Sequence, residues 1–344
     1  MFVAAMSGMV CVAGAVPKAD AVPEIITVLT LAPTKSGFRD RFLALKDVIE
    51  RDFNGGAEVK LLIDGEAGTE ETMISAIRRG RAQYAQLTVP GTSGAVPEVA
   101  LLMAPYLFAS AEEADFVLDR YVTAFMQEVF DEKGLAFLGW VESGWWNFFG
   151  KTPLIWPKDV ENYRLRAAGG DATALYMQAL NSDVVPLAFA EMIPALQTGL
   201  IAGGATNETM YGNMGIYRYA PHLTLTRHAI NPGSILANKA WFEGLSPDNR
   251  NVIAGALGTA ESLRHMVRSE ACVSLAKAAA DGAVIHQQTS EQRAAWSAPA
   301  TAAQLDLVRQ IGGRAQDLYD RIVAGKADFA GRGIESKPVC PGTD

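Results

Sequence analysis

Two arginines two positions apart, Arg164 and Arg166, are the residues of this sequence best placed for binding chemistry. On an extended strand they share one face. An arginine at a strand end followed by small residues, here Ala167-Ala168-Gly169-Gly170, can hold a carboxylate through two parallel charge-assisted hydrogen bonds. The alternative is a pair of solvated basic side chains. Gly169 and Gly170 fall between a predicted strand and a predicted helix, where free backbone N–H groups can border an anion. Aromatic density adds to this region: Trp140, Trp145, Trp146 and Trp156 crowd one stretch, with Phe148 and Phe149 among them. Trp140 reads as core. Trp145-Trp146, beside Gly144 at a strand end, is a candidate cleft lining, although neighbours in extended backbone point to opposite sides and at most one can face a given cleft. Signs of catalysis are missing. The sequence has no Gly-x-Ser-x-Gly elbow, phosphate loop, His-Glu-x-x-His helix or dinucleotide turn. Its four histidines are not spaced like a zinc site, and no Cys-x-x-Cys occurs. Neither enzyme activity, cofactor nor metal is expected.

The elements that must position these residues alternate. Glu24 to Leu31 reads as a strand. Phe38, Phe42, Leu45, Ile49 and Phe53 mark one face of a helix, and Ala57 to Ile63 reads as the next strand. Thr69 can cap a helix running to Arg79. Further on, 111–130 reads as helix, 135–141 as strand, Tyr163–Ala168 and Val184–Phe189 as short strands, and Glu191–Gly199 as helix. Ser246-Pro247 supplies an N-cap and a first-turn proline, and the pattern behind it stays helical, with minor interruptions, to about Ala280, long enough to run along two domains. This is an α/β chain with a largely parallel sheet.

Composition bounds the partners. Thirty Lys and Arg against 38 Asp and Glu give a net charge of −8, with no basic cluster, so nucleic acid is not an expected partner. No apolar run reaches the length of a spanning helix. Residues 1–16 are small and apolar with no charge, and 1–21 resemble a secretory leader without its usual basic start; a buried N-terminal helix is the other reading. Beyond the leader two cysteines remain, Cys272 and Cys340, either joined in one disulfide or both free.

The stretch Pro153-Leu154-x-x-Pro157-x-Asp159-x-x-x-Tyr163-Arg164-Leu165-Arg166, followed by Phe189-Ala190-Glu191-Met192-x-Pro194-Ala195-Leu196-Gln197-Thr198-Gly199, resembles the solute-binding subunits of TRAP transporters, the DctP-like periplasmic receptors. Gly68-Thr69-Glu70, Pro105-Tyr106-Leu107-Phe108, Thr226-Arg227-His228 and Trp241 are similar to further landmarks of that family. The resemblance implies a two-lobed periplasmic-binding-protein fold, type II-like, with a long helix bridging both lobes. It places a leader at 1–21, lobe 1 at 22–143 plus 232–270, and lobe 2 at 144–231 plus 271–344. It also implies an exported, periplasmic receptor that takes a small organic acid and delivers it to membrane permease subunits; presentation of ligand to a signalling sensor is the alternative. Arg166 matches the arginine that pairs with the substrate carboxylate, and Phe189 a ring bordering the ligand. Trp146 stands where related receptors for doubly anchored acids carry a second arginine. The family asparagine near the ligand falls on Thr206, with Asn207 beside it. Losing one arginine and gaining an aromatic plane points to a monocarboxylate with an apolar or aromatic body rather than a C4-dicarboxylate. Lys35 or Arg39 could restore a second anchor.

Overall fold

Strand and helix alternate at the start of the chain as the spacing predicts. The structure is a computed structural model that describes residues 23–32, 36–167, 172–335 and 340. β1 (Glu24–Leu29) leads to α1 (Gly37–Asp52), where the Ser36 hydroxyl accepts from the Arg39 N–H and Phe42, Leu45 and Ile49 are buried. β2 (Ala57–Leu62) pairs parallel to β1, and Thr69 caps α2 (Glu70–Arg78). The short β3 (Tyr84–Leu87) takes the other edge of β1. After α3 (Val89–Ser93), the helix expected over 111–130 forms as two pieces, α4 (Ala111–Val117) and α5 (Thr123–Glu132), joined by a π-helical turn at Leu118–Val122. β4 (Leu135–Gly150) runs well past the strand expected over 135–141. Next come β5 (Arg164–Ala167), α6 (Ala172–Ala179), β6 (Asp183–Pro186), α7 (Met192–Thr198), β7 (Gly203–Asn207) and α8 (Glu208–Asn213). The strand expected over Val184–Phe189 is shorter than read, because the chain turns into a 3-10 segment at Phe189. β8 (His222–Asn238) is followed by α9 (Lys239–Gly244), α10 (Pro247–Gly255), α11 (Ala260–Ala280), β9 (Val284–His286), α12 (Ser290–Ser297), α13 (Ala300–Ile311) and α14 (Ala315–Gly331).

The strands join in the order β2-β1-β3-β8-β4-β7-β5-β6, with β9 added to β8. The long antiparallel pair β4 and β8 makes one sheet of two halves. The C-terminal part of β8 pairs with β3 and the start of β4, while its beginning pairs with β9 and the end of β4. The end of β4 in turn carries β7. The pair breaks register where it passes between halves. β4 gains a residue between Glu142 and Trp145, with Gly144 at φ 93°, a conformation that costs glycine little. In β8, Leu225 to His228 stand opposite Asn147 alone, and Arg227 takes φ 42°.

The helical pattern expected from Ser246 to about Ala280, with minor interruptions, is two helices. It breaks after α10 at Gly258, whose φ of 110° no helix accommodates, and restarts where the Thr259 hydroxyl accepts from the Ser262 N–H at 3.2 Å. α11 alone still spans about 32 Å. Its Leu263 packs in the core beneath β1 and α1, whereas Leu275 and Ala278 pack in the core around α7 and Tyr211. The helix therefore bridges both halves. Cys272 on α11 is disulfide-bonded to Cys340. α13 and α14 bury Leu307, Val308, Leu318 and Ile322 among the first-half residues of α4 and α5. Lys326 reaches Glu113 at 3.2 Å, and the Tyr121 hydroxyl donates to Asp328 at 2.9 Å. The C-terminal helices, read from the sequence as part of lobe 2, therefore also touch the first half.

Candidate functional site

Arg166 lies near the end of β5, one residue from the strand's last position, and is only 5% exposed. Its Nε donates to the Leu187 carbonyl at 3.0 Å, and its guanidinium carbon lies 5.8 Å from the centroid of the Phe189 ring. Phe189 itself is 42% exposed, so the ring covers the arginine and faces solvent with its other side. Arg164 behaves differently. It is exposed and lies 3.5 Å from Asp183, so the solvated reading holds for that arginine. Gly169 and Lys35 lie outside the described residues. Arg39 sits in the first turn of α1, partly exposed and 3.7 Å from Asp40.

Register sorts the remaining candidates by face. Arg166 pairs with Gly204, and Thr206, two residues on, pairs with Asn147. Paired residues share a face and the period along a strand is two, so Arg166, Thr206 and Asn147 lie on one side of the sheet. Asn207 and its partner Trp146 lie on the other side. The Asn207 Oδ1 accepts from the Met210 N–H at 2.8 Å and caps α8, so that oxygen is committed to the fold. Trp146 is half-buried and packs against two cores at once, the large first-half core and the second-half core of Phe148, Leu165 and Tyr176. It is therefore placed where the halves meet. Trp145, pointing the opposite way, is a core side chain in the first half and only 3% exposed. Both indole Nε1 atoms are buried without a hydrogen-bond partner, as are the Tyr106 hydroxyl and Thr173 Oγ1. An indole can only donate, so these groups suit a guest with acceptor oxygens.

Sequence reasoning missed the charges at the crossing. Asn147, fully buried, donates to the Trp145 carbonyl at 3.0 Å and accepts the Arg227 N–H at 2.9 Å, which fixes the β8 bulge. Arg227 stands in electrostatic contact with the buried Glu208, whose carboxyl is pushed up by burial and partly held down by Arg227. Thr226-Arg227-His228 was legible as a landmark, but only the register break shows why an arginine sits there. His228 is fully buried, stacks on Phe148 at 4.6 Å and pairs with the Thr226 hydroxyl at 2.8 Å; burial lowers its pKa to about 3. Glu142 on β4 is buried and its carboxyl is pushed up by burial, against the pull of Arg268. Arg268 makes a bidentate pair with Asp115 at 2.8 Å, and Arg264, one turn earlier, does the same with Asp119 at 2.7 Å. The i, i+4 spacing of these arginines on α11, and of Asp115 on α4 and Asp119 in the π-helical turn behind it, was the available signal. Together they fasten the N-terminal half of α11 to the first half of the molecule.

These residues offer a buried cation under an aromatic ring, a half-buried indole where the halves meet, and unpartnered donors. Such a set has the chemistry to hold and orient a guest.

The family model described as bacterial extracellular solute-binding protein, family 7, matches residues 30–308. The chain is 24% identical over 307 residues to the ectoine-binding periplasmic protein TeaA of Halomonas elongata, covering 85% of this chain and 89% of that protein. It is 28% identical over 221 residues to solute-binding protein NAS141_03721 of a Sulfitobacter species, covering 62% of this chain and 67% of the other. A TRAP periplasmic solute-binding protein from Xanthobacter autotrophicus, solved with β-D-galacturonate bound, shares the fold with a TM-score of 0.77 at 21% identity, covering 88% of this chain and 99% of that one.

Proposed function

This chain belongs to the bacterial extracellular solute-binding proteins of family 7, and on that premise we propose that it binds an organic acid and delivers it to the membrane permease subunits of a TRAP-type transporter. The observation that carries the proposal is Arg166, a guanidinium buried near the end of β5 and covered by a half-exposed phenylalanine. It is the group we assign to the ligand carboxylate. Thr206, on the same face, supplies a hydroxyl for an oxygen beside that carboxylate. No helix of the described residues is long and apolar enough to cross a membrane, which agrees with a receptor that works beside its permease.

The ligand class in this proposal is a monocarboxylate with an apolar or aromatic body. The position that could hold a second anion carries Trp146; Arg227, whose Nε is buried without a hydrogen-bond partner, meets Glu208 only electrostatically and is the other cation at the crossing. A second carboxylate buried against Trp146 without a partner would cost several kcal/mol. A flat indole where the halves meet favours a ring, carbocyclic or sugar, stacked on its face. The unpartnered indole N–H of Trp146 favours an oxygen substituent on that ring or beside the carboxylate. The lobes that close on it are 22–143 plus 232–270 and 144–231 plus 271–344, with α13 and α14 packed across from the second onto the first. Closure is favoured because the closed state gains the arginine–carboxylate pair and buried ligand surface.

A thermal-shift panel tests this. Ligand that binds only the native state adds about 2.7 kcal/mol of stability at a hundred times its dissociation constant. Aromatic monocarboxylates such as phenylpyruvate and benzoate should include at least one strong responder, with succinate inert; a response to galacturonate alone would keep the single carboxylate and overturn the apolar body. A response to succinate alone would reverse the ligand class.

A further inference from the structure

We propose that His222 and His286 form a binding site for a divalent transition-metal ion of borderline softness, such as zinc, nickel or copper. The two residues come from β8 and β9, which pair in parallel on the outer side of the second half, away from Arg166's strand β5 in the sheet order. His222 Nδ1 and His286 Nε2 are 3.1 Å apart and their rings stack at 5.3 Å. Zn–N bonds of about 2.0–2.1 Å to two nitrogens at that separation subtend an angle of about 100°, between the right angle of square and octahedral sites and the tetrahedral value. A tilt of the rings would turn both lone pairs onto one ion.

A metal at bonding distance from both nitrogens would lie off the line between them, on which the hydrogen-bonding proton of the pair now sits. On binding, that proton leaves the shared nitrogen for the other nitrogen of the same ring. Both ligating nitrogens then carry lone pairs, both rings stay neutral, and no proton is released.

A second observation points to the same place. Thr224 is the register partner of His286, so its side chain lies on the same face about 5 Å away. It is 1% exposed, and its hydroxyl has no hydrogen-bond partner. A metal-bound water would satisfy it. Among the described residues no group of three or more His, Cys, Asp or Glu is placed to hold a metal. The site therefore offers two protein ligands and leaves the remaining positions to water. Binding would staple the three-residue β9, the link from α11 to α12, onto the crossing strand β8.

The test is calorimetry of untagged, chelator-stripped protein with nickel or zinc chloride. One ion per chain is expected, with a rise in melting temperature. His222→Gln and His286→Gln should each weaken binding by at least about tenfold, as befits loss of a ligand. His265→Gln, on the exposed side of α11, should leave binding unchanged. Unaltered affinity in both pair variants, or no binding at about millimolar metal, overturns the site. Should a variant fail to fold, Cu(II) electron paramagnetic resonance of the unmodified protein reads the ligands directly. Coupling to two nitrogens supports the site, and one or none overturns it.

Discussion

Replacing Arg268 with methionine removes the charge that Glu142 faces while keeping an unbranched side chain of similar reach. In the folded protein Glu142 is only 3% exposed, and Arg268 is its hydrogen-bonded cation, with the Nε 3.1 Å from one carboxylate oxygen. Asp115 loses its bidentate partner but keeps Arg264, whose Nε lies 3.0 Å away. The uncompensated group is therefore Glu142, and breaking one side of a buried pair costs about 3–5 kcal/mol. The pH dependence identifies the culprit. Burial already raises the Glu142 pKa above the ordinary 4.5 against the pull of Arg268, and without that pull it rises further. Between 4.5 and the folded-state value the folded chain holds a proton that the unfolded chain has released. Stability of the variant therefore falls as pH rises through that window, and the penalty is smallest near pH 4.5. Glu142→Gln added to Arg268→Met should return most of the loss, because the buried charge is gone. Urea unfolding of the three proteins at pH 5 and pH 8, followed by tryptophan fluorescence, measures all of this. A penalty below about 1 kcal/mol, or one that Glu142→Gln leaves untouched, would refute the reasoning.

Other outcomes follow from the same contacts. His228, held neutral with a pKa of about 3 against 6.5 unfolded, contributes stability that is complete above pH 6.5 and is lost as pH falls toward 3. At pH 5 the loss is about 2 kcal/mol, and His228→Asn, which keeps a partner for Thr226, should flatten that part of the acid titration. The Cys272–Cys340 disulfide closes a loop with a sequence separation of 68, so Cys272→Ser with Cys340→Ser should cost up to about 4 kcal/mol in chemical denaturation; an unchanged midpoint would mean the tail is held by packing alone. Trp146→Arg supplies a second guanidinium where the halves meet, and should create a thermal-shift response to succinate while weakening any aromatic ligand. No gain for succinate would place the second anchor elsewhere.

The legible parts of the fold were those that local physics decides. α1 and α2 follow from apolar spacing and from the Ser36 and Thr69 caps, and β1 and β2 from β-branched runs beside glycine turns. β8 escaped notice because its seventeen residues include a proline, a glycine and a bulge, so no period of two survives. The break at Gly258 was hidden because one glycine in an Ala-rich stretch looks like a tolerated helical residue until its φ is seen. In the site, Arg166 stood out because small residues flank it. The opposite fates of Arg164 and Arg166 were not legible, since both have the same parity and only the pairing of β5 with β6 and β7 decides which is covered. Asn207 reads as a ligand-side amide in sequence, but its helix-capping role depends on α8 beginning at the next residue.

The central claim is that Arg166 holds the carboxylate. The direct measurement is isothermal titration calorimetry of the strongest thermal-shift ligand against the unmodified protein, Arg166→Ala and Arg166→Lys. Arg166→Ala should remain folded, because the sheet pairing of β5 is made by backbone, yet lose about 2–5 kcal/mol of binding. Arg166→Lys should recover little of it, because an ammonium cannot reproduce the planar fork. Affinity within about twofold of the unmodified protein in both variants would contradict the account and move the carboxylate to another part of the cleft.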